Sequence, residues 1–299
     1  MKKMIWIIVV GLVGGYALAS TLQTSKANIQ EVQIISQEKA HQKENNVDLK
    51  KKEVSVDVAS QNQNSAIEAV TQEKMTEVQL GEEASKKSAL AEKVICIDAG
   101  HQKKGNSHQE PIGPGSTQTK ARVSSGTKGV ASGKYEYELN LEVALKLKEA
   151  LLEKGVEVYM VRETHDVDMS NKERAQLANE AKADLSLRIH ADGSSNSSAN
   201  GFSILVPGGS YVSDEVISKS YAIAVYMEEY LAEGIPNKSR GIATRKDLSG
   251  FNWSEVPAVL LEMGFMSNPE EDLRMNTEAF QEELIKALVA SLEAYYEQL

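Results

Sequence analysis

The segment Val94-Ile-Cys-Ile-Asp-Ala-Gly-His101 is an apolar, largely β-branched run that ends in an aspartate, a glycine and a histidine. Such a run, followed by a Gly-rich segment, predicts a buried β-strand. Gly100 permits a tight turn after the strand, so we expect His101 at the carboxyl end of a sheet. Cys96 is the only cysteine of the chain, and its place inside the strand indicates a core-filling side chain rather than a reactive thiol.

Residues 93–299 alternate between apolar strand patterns and one-sided helix patterns. This repetition predicts an α/β fold of the phosphorylase/hydrolase-like kind, with a mostly parallel twisted sheet of about six strands flanked by helices on both faces. The Gly- and Ser-rich segment Gln102–Lys134 is expected to be a substrate-contacting or gating loop. Strands are predicted at Val94–Asp98, Val156–Val161, Asp184–His190, Phe202–Val206 and Pro257–Glu262. Helices are predicted over Leu139–Lys154, from Ser170 to about Ala183, from Ser213 or Asp214 to about Ala232, in a short stretch opened by Ser267–Glu270, and over Glu278–Gln298.

The first 92 residues have a different texture. Lys2 and Lys3 precede an apolar run, so residues 1–22 are predicted to be a signal peptide or an N-terminal membrane anchor. Ala17-Leu-Ala19 offers a cleavage site, whereas the uncharged run Met4–Ser25 is close to the ~20 residues that span a bilayer. Residues 23–92 are polar and predict a mostly disordered spacer. Both alternatives place residues 93–299, the predicted folded domain, outside the cytoplasm.

The chain is acidic, with a net charge of −10. Most of the excess lies in residues 93–299, which carry 22 Lys and Arg against 31 Asp and Glu. Because binding to phosphates needs a basic face, no nucleic-acid partner is expected.

Three predicted strands end in chemically active side chains, namely His101, His190 and Glu262. The carboxyl ends of strands line the ligand crevice of an open α/β sheet. Buried ionisable groups are costly unless they are paired or bind a metal. Histidine together with carboxylate suits Zn²⁺, which in catalytic sites takes three protein ligands and keeps a fourth position open.

A third protein ligand is then needed besides the catalytic carboxylate. Glu136 and Glu138 both precede the first long helix, and Glu136 lies one helical turn before Asn140. Spacing alone does not choose between the two glutamates, and the helix dipole favours a carboxylate at either position.

Four blocks of the sequence resemble those of the zinc-dependent N-acetylmuramoyl-L-alanine amidases. The blocks are Ile97-Asp-Ala-Gly-His101, Glu136-Tyr-Glu-Leu-Asn-Leu141, Arg188-Ile-His-Ala-Asp192 and Glu262-Met-Gly-Phe-Met-Ser-Asn-Pro-Glu270. The resemblance covers about Val94 to the end of the chain. The sequence departs from the family at Ala99, Gln102, Arg188 and Asp192, where Pro, Gly, Ser and Asn are common, and none of these changes removes a ligand.

The resemblance implies one zinc ion per domain held by His101, Glu136 and His190, with Glu262 as the catalytic residue. It implies hydrolysis of the amide between the lactyl group of muramic acid and the L-alanine of the peptidoglycan stem peptide. Asp98 is expected either to orient His101 or simply to form a turn. Arg188 is expected to meet a substrate carboxylate or to pair with an acidic residue, and Asn140 is a further candidate near the metal or substrate.

Two other functions are compatible with the same metal ligands and catalytic residue. A zinc peptidase acting on the stem peptide would need the same metal and base, and a non-catalytic, wall-associated regulator would be expected to have lost one of them. All four key positions are filled. Peptidoglycan is therefore the expected partner, membrane contact is expected only through the N-terminal segment, and the chain is expected to be a monomer.

Overall fold

A computed structural model describes residues 87–299 of the chain. The predictions for residues 1–22 and for most of the spacer lie outside this range. The compact unit runs over Ser88–Leu299, and Leu90 is fully buried in its core. The folded part therefore includes a few residues before Lys93, where the sequence placed its start.

The elements follow one another in a strand–helix alternation. The strands are β1 (Val94–Ala99), β2 (Asn106–Pro111), β3 (Thr119–Val123), β4 (Glu157–Met160), β5 (Leu185–Asp192), β6 (Phe202–Pro207), β7 (Ser239–Arg245) and β8 (Ala258–Phe265). The helices are α1 (Glu136–Glu153), α2 (Asn171–Glu180), α3 (Asp214–Gly234), α4 (Ser249–Asn252), α5 (Pro269–Met275) and α6 (Glu278–Glu297). Among the described residues, no helix is both long and apolar enough to cross a membrane.

The main sheet has six strands in the order β4-β1-β5-β8-β6-β7. All neighbouring pairs are parallel except β6 and β8, which are antiparallel. This confirms the prediction of a mostly parallel α/β sheet of about six strands. β2 and β3 form a separate antiparallel pair.

The two faces of the sheet differ because successive side chains of a strand point to opposite sides. On one face, alternate residues of β1, β5 and β8 pack with α1, α3 and α6 into the large apolar core. On the other face, α2 and α4 cover smaller apolar clusters, one of which contains Cys96. Burial raises the pKa of the Cys96 thiol to about 12, which agrees with its predicted role as core filler.

The structure contains elements that the sequence analysis did not predict, among them the short helix α4 (Ser249–Asn252). Segment 102–134 is not a plain loop, because it contains the β2–β3 hairpin. The hairpin is fastened by side chains at its ends: Trp253 Nε1 donates to Pro111 O at 2.9 Å, and Asn106 Nδ2 donates to Asp168 Oδ1 at 3.0 Å. The sixth strand, β7, was not located in the sequence. Its residues, Ser-Arg-Gly-Ile-Ala-Thr-Arg, lack an apolar alternation.

Candidate metal centre

His101 directly follows β1 and has φ +62°, a backbone conformation that is uncommon outside glycine. Buried arginines hold this turn: Arg162 Nη2 donates to Gly100 O at 3.0 Å, and Arg174 Nη2 donates to His101 O at 2.9 Å. The His101 Nδ1 lies 3.0 Å from the carbonyl oxygen of Ser124. A proton on Nδ1 directed at that carbonyl leaves the lone pair of Nε2 available for a metal.

Glu136 is the first residue of α1 and is 3% exposed. Its Oε2 accepts a hydrogen bond from the Thr127 backbone N–H at 2.9 Å, and its Oε1 accepts one from Asn140 Nδ2 at 3.2 Å. Burial alone would raise the pKa of this carboxyl. The hydrogen bonds and charges of His101 and His190 outweigh burial and hold the pKa well below its usual value.

Glu138, the other candidate from the sequence, occupies a different position. Its Oε2 accepts a hydrogen bond from the Tyr135 backbone N–H at 2.9 Å, at the N-terminus of α1. This is the helix-capping role that favours a carboxylate in the first turn.

His190 lies on β5, on the face of the sheet opposite the large core. Its Nδ1 lies 3.1 Å from Glu136 Oε1, and its buried Nε2 has no hydrogen-bond partner within residues 87–299. Burial, partly offset by the hydrogen bond to Glu136, lowers the pKa of His190 to about 4. The ring is therefore neutral at pH 7, as a metal-binding imidazole must be.

The three side chains converge on one point. His101 Nε2 lies 3.2 Å from Glu136 Oε1, the same oxygen that His190 approaches. Ligand atoms of the three residues all lie within 4.8 Å of one another. Two glycines leave room for them: a Cβ on Gly126 would come within 2.6 Å of Glu136 Oε2, and a Cβ on Gly100 would overlap the His190 ring. The arrangement can hold a divalent metal.

Glu262 lies beside this cluster on β8, where it is the parallel-register partner of His190. Its Oε2 is buried and accepts no hydrogen bond from the part of the chain that the structure describes. Burial is the largest cause that raises the pKa of Glu262 well above its usual value, and the charges of Glu136 and Asp192 add to it. Among the carboxylates of the site, Glu262 is thus the one whose charged form is least favoured. A group that accepts and then donates a proton needs this property.

The expectation that Asp98 orients His101 is wrong. The Asp98 carboxylate accepts hydrogen bonds from Arg174 Nη1 at 2.6 Å and from Arg188 Nε at 2.9 Å. Burial would raise its pKa, but the two arginine charges outweigh burial and lower it. The aspartate follows the strand alternation onto the face where these arginines lie, and Ser124 contacts His101 instead.

A pocket of about 280 Å³ opens above the cluster. Its walls include His101, His190, Glu262 and the cationic residues Lys120, Arg188 and Arg245. Sequence reasoning missed Lys120, Arg245, Ser124 and Thr127. Thr127 acts through its backbone N–H, which carries no sequence signal, and Ser124 contacts His101 through both its carbonyl oxygen and its hydroxyl. Ser124 follows β3, and the two cations lie on β3 and β7, elements that the sequence did not predict.

The chain thus has an α/β fold with a candidate metal centre beside a buried glutamate. Residues 95–294 match the family model described as N-acetylmuramoyl-L-alanine amidase. The N-acetylmuramoyl-L-alanine amidase Rv3717 of Mycobacterium tuberculosis is 28% identical over 214 residues, which cover 69% of this chain and 87% of that protein. The probable cell wall amidase LytH of Staphylococcus aureus is 27% identical over 217 residues, covering 73% of this chain and 63% of that protein.

A solved structure agrees with these relatives. The N-acetylmuramyl-L-alanine amidase Ami1 of Mycobacterium smegmatis superposes with a TM-score of 0.64 at 26% identity, covering 70% of this chain and 99% of that one. The chain belongs to the N-acetylmuramoyl-L-alanine amidase family. It is a hydrolase whose family acts on peptidoglycan, so its site of action is extracytoplasmic.

Proposed function

We propose that the chain hydrolyses the amide between the muramic acid lactyl group and L-alanine with one zinc ion, held by His101, Glu136 and His190. Glu262 is the catalytic residue of this proposal. The observation that carries it is the convergence of three ligand atoms within 4.8 Å beside a buried glutamate in register with one of them.

The donor set supports zinc. Two imidazole nitrogens and one carboxylate oxygen are ligands that Zn²⁺ prefers in catalytic sites, where three protein ligands leave a fourth position open. The buried Nε2 of His190 has no partner in residues 87–299, and a buried polar atom of this kind is costly unless a ligand satisfies it. Hydrogen bonds from Asn140 Nδ2 and from the Thr127 backbone N–H hold the Glu136 carboxylate in place.

When bound, zinc supplies Lewis-acid chemistry, polarising the scissile carbonyl and lowering the pKa of water from about 15.7 toward roughly 7. Glu262 Oε2 takes a proton from the attacking water and then donates it to the leaving nitrogen of L-alanine. Its raised pKa favours the protonated form of the carboxyl, which is the form that donates in the second step. The products are the free lactyl carboxylate and the free amino group of the stem peptide.

Mass spectrometry of muropeptides digested with the full chain tests this function. We expect release of intact stem peptides with a free L-alanine amino terminus, and we expect a chelator to stop the release. Cleavage within the stem peptide would instead identify a zinc peptidase. Absence of any new product from sacculi at neutral pH with added zinc would favour the wall-associated regulator.

The proposal extends to the N-terminal residues, where Lys2 and Lys3 precede an apolar run. Residues 1–22 export the chain or anchor it, and the residues between this segment and Ser88 are the linker that precedes the folded domain. Fractionation and intact-mass measurement of the chain from its host distinguish a secreted form cleaved after Ala19 from an uncleaved membrane form. Recovery of the full-length chain only in the cytoplasm would contradict both.

A further inference from the structure

Positive charge collects at the candidate active site of an otherwise acidic chain. Lys120, Arg188 and Arg245 line the same pocket as Glu262 and the two histidines, although the whole chain carries a net charge of −10. The three cations come from different elements, namely β3, β5 and β7. The pocket therefore has a cationic wall beside its proposed catalytic end.

Arg188 is the buried member of this wall, with 5% of its surface exposed. Its Nε donates to Asp98 Oδ2 at 2.9 Å and its Nη2 to Asn171 Oδ1 at 3.0 Å. Its third nitrogen, Nη1, lies against Gly250 in the pocket wall and donates no hydrogen bond to residues 87–299. The two N–H groups on Nη1 of this fixed, permanently charged guanidinium are thus available to a ligand.

The Asp98 carboxylate pairs with two guanidinium groups, those of Arg188 and Arg174. Asp98 also accepts from Arg174 Nη1 at 2.6 Å, and Arg174 is almost fully buried. Within residues 87–299, Asp98 is the only carboxylate that forms an ion pair with Arg174 or Arg188, so these three residues together carry a net positive charge. A buried charge of this kind favours binding of an opposite charge from the pocket.

Lys120 and Arg245, the more exposed members of the cationic wall, also outnumber their acidic partner. Arg245 makes two hydrogen bonds to the Asp247 carboxylate, both at 2.8 Å, and Lys120 Nζ lies 3.8 Å from the same carboxylate. Two cations again share one anion. Asp247 balances only one of the two positive charges, so this part of the wall also attracts an anionic group.

The position of Arg188 indicates where that anion lies on the substrate. Arg188 precedes the candidate ligand His190 by two residues on the same face of β5, a separation of about 6.6 Å along the strand. An extended peptide spans roughly 3.3–3.6 Å per residue. A substrate that places its scissile amide at the metal thus brings the residue after L-alanine to the cationic wall.

We propose that Lys120, Arg188 and Arg245 form a carboxylate-binding site, which selects stem peptides whose residue after L-alanine carries a free carboxylate over peptides that carry a carboxamide there. This inference rests on the proposed amidase function and names the substrate class of the same site. Arg188 binds the carboxylate through Nη1, and Lys120 and Arg245 attract it electrostatically.

Two synthetic muramoyl peptides that differ only in this group test the inference. We expect the full chain with zinc to hydrolyse the carboxylate form with a kcat/KM about 10- to 100-fold above that of the carboxamide form, the range that a charge-assisted hydrogen bond supports. The preference should weaken as salt rises, because Lys120 and Arg245 are partly exposed.

Arg188→Gln should reduce the ratio of the two kcat/KM values to about 1. Asp98 keeps its bond to Arg174 in this variant, so the buried carboxylate stays paired. Lys120→Gln and Arg245→Gln should each reduce the ratio partially. Lys246→Gln is the matched control, because it removes the same charge next to Arg245 from a side chain outside the pocket lining, and it should leave the ratio as in the wild type.

The outcomes separate this inference from the function on which it rests. Equal hydrolysis of both peptides by the wild type overturns the carboxylate site and leaves the amidase standing. Hydrolysis of neither peptide overturns both. If Arg188→Gln does not fold, the wild-type preference and the Lys120→Gln and Arg245→Gln variants decide, and an unchanged ratio in both variants removes these two residues from the site.

Discussion

At the scale of single residues, Glu262 has a proposed role in the proton transfer and none in holding the metal. It lines the pocket and is the register partner of His190, but it is not among the three clustered ligands. Glu262→Gln should keep zinc and lose roughly 10²- to 10⁴-fold in kcat, the usual contribution of a general base. Zinc content by elemental analysis and product release by chromatography check both halves.

His190→Ala is the matching variant for the metal. It removes a buried ligand from the cluster, so zinc content should fall far below one ion per chain and activity should fall with it. A His190→Ala protein with the zinc content of the wild type would remove His190 from the proposed ligand set.

Asp98 supports the site through charge rather than through His101. Asp98→Asn leaves Arg174 and Arg188 buried without their counterion, and loss of one partner of a buried ion pair costs about 3–5 kcal/mol. Urea unfolding should show this loss. Glu163→Gln, which breaks the exposed pair with Lys148, is the control and should leave the free energy of unfolding close to that of the wild type.

The pH dependence of this effect follows from the direction of the shift. The folded state lowers the pKa of Asp98, so its stabilising contribution is fully present above the unfolded pKa of about 3.9. It is lost as the pH falls from there through the folded pKa. The stability difference between wild type and Asp98→Asn should be constant from pH 5 to 8 and should shrink below pH 4. A difference that grew on acidification would contradict this account.

At the scale of elements, the segment between β3 and α1 shapes the metal centre with its backbone. Gly126 and Gly133 both have positive φ, +79° and +69°, but a Cβ at Gly126 would press on Glu136 and His101, whereas a Cβ at Gly133 would meet nothing within 4 Å. Positive φ alone should make alanine destabilise the fold by about 1–2 kcal/mol at either position, and the overlap at Gly126 should add to that cost. Only Gly126→Ala should also weaken zinc binding, which titration with a competing chelator measures. Equal zinc affinity in the two variants would show that the segment does not shape the centre.

The elements that the sequence predicted are those with a strong apolar pattern. β1, β5 and β8 each place apolar side chains in the large core, and their strands were located within a few residues. β2, β3 and β7 are largely exposed and polar, so their pairing depends on neighbouring elements rather than on their own pattern. For the same reason, the pocket wall that carries Lys120 and Arg245 could not be predicted.

At the scale of the whole molecule, the proposed ligands connect distant parts of the chain. His101 follows β1, Glu136 begins α1 and His190 lies on β5. Zinc at 100 times its Kd should therefore stabilise the fold by about 2.7 kcal/mol, which raises Tm by roughly 5–10 °C in a domain of this size. Calorimetry with and without a chelator should show this shift in the wild type and in Glu262→Gln. His190→Ala should not show it, and an equal shift there would place the metal elsewhere.

The candidate site was predictable where side chains carry the chemistry. His101, His190 and Glu262 stand at or near strand ends, and the family resemblance favoured Glu136 over Glu138. The sequence could not give the backbone contacts of Ser124 and Thr127. It also did not indicate that Asp98 faces two arginines, because both come from elements distant in sequence.

His190 and Glu262 lie opposite each other on hydrogen-bonded central strands, and Arg188 lies on one of these strands, whereas Lys120 and Arg245 lie on a peripheral hairpin and an edge strand. The distance between His190 and Glu262 is thus set by the pairing of β5 with β8 and does not depend on the elements around the pocket. Exchanging the β2–β3 hairpin, which carries Lys120, should therefore change the strength of the substrate preference while the bond that the enzyme breaks stays the same.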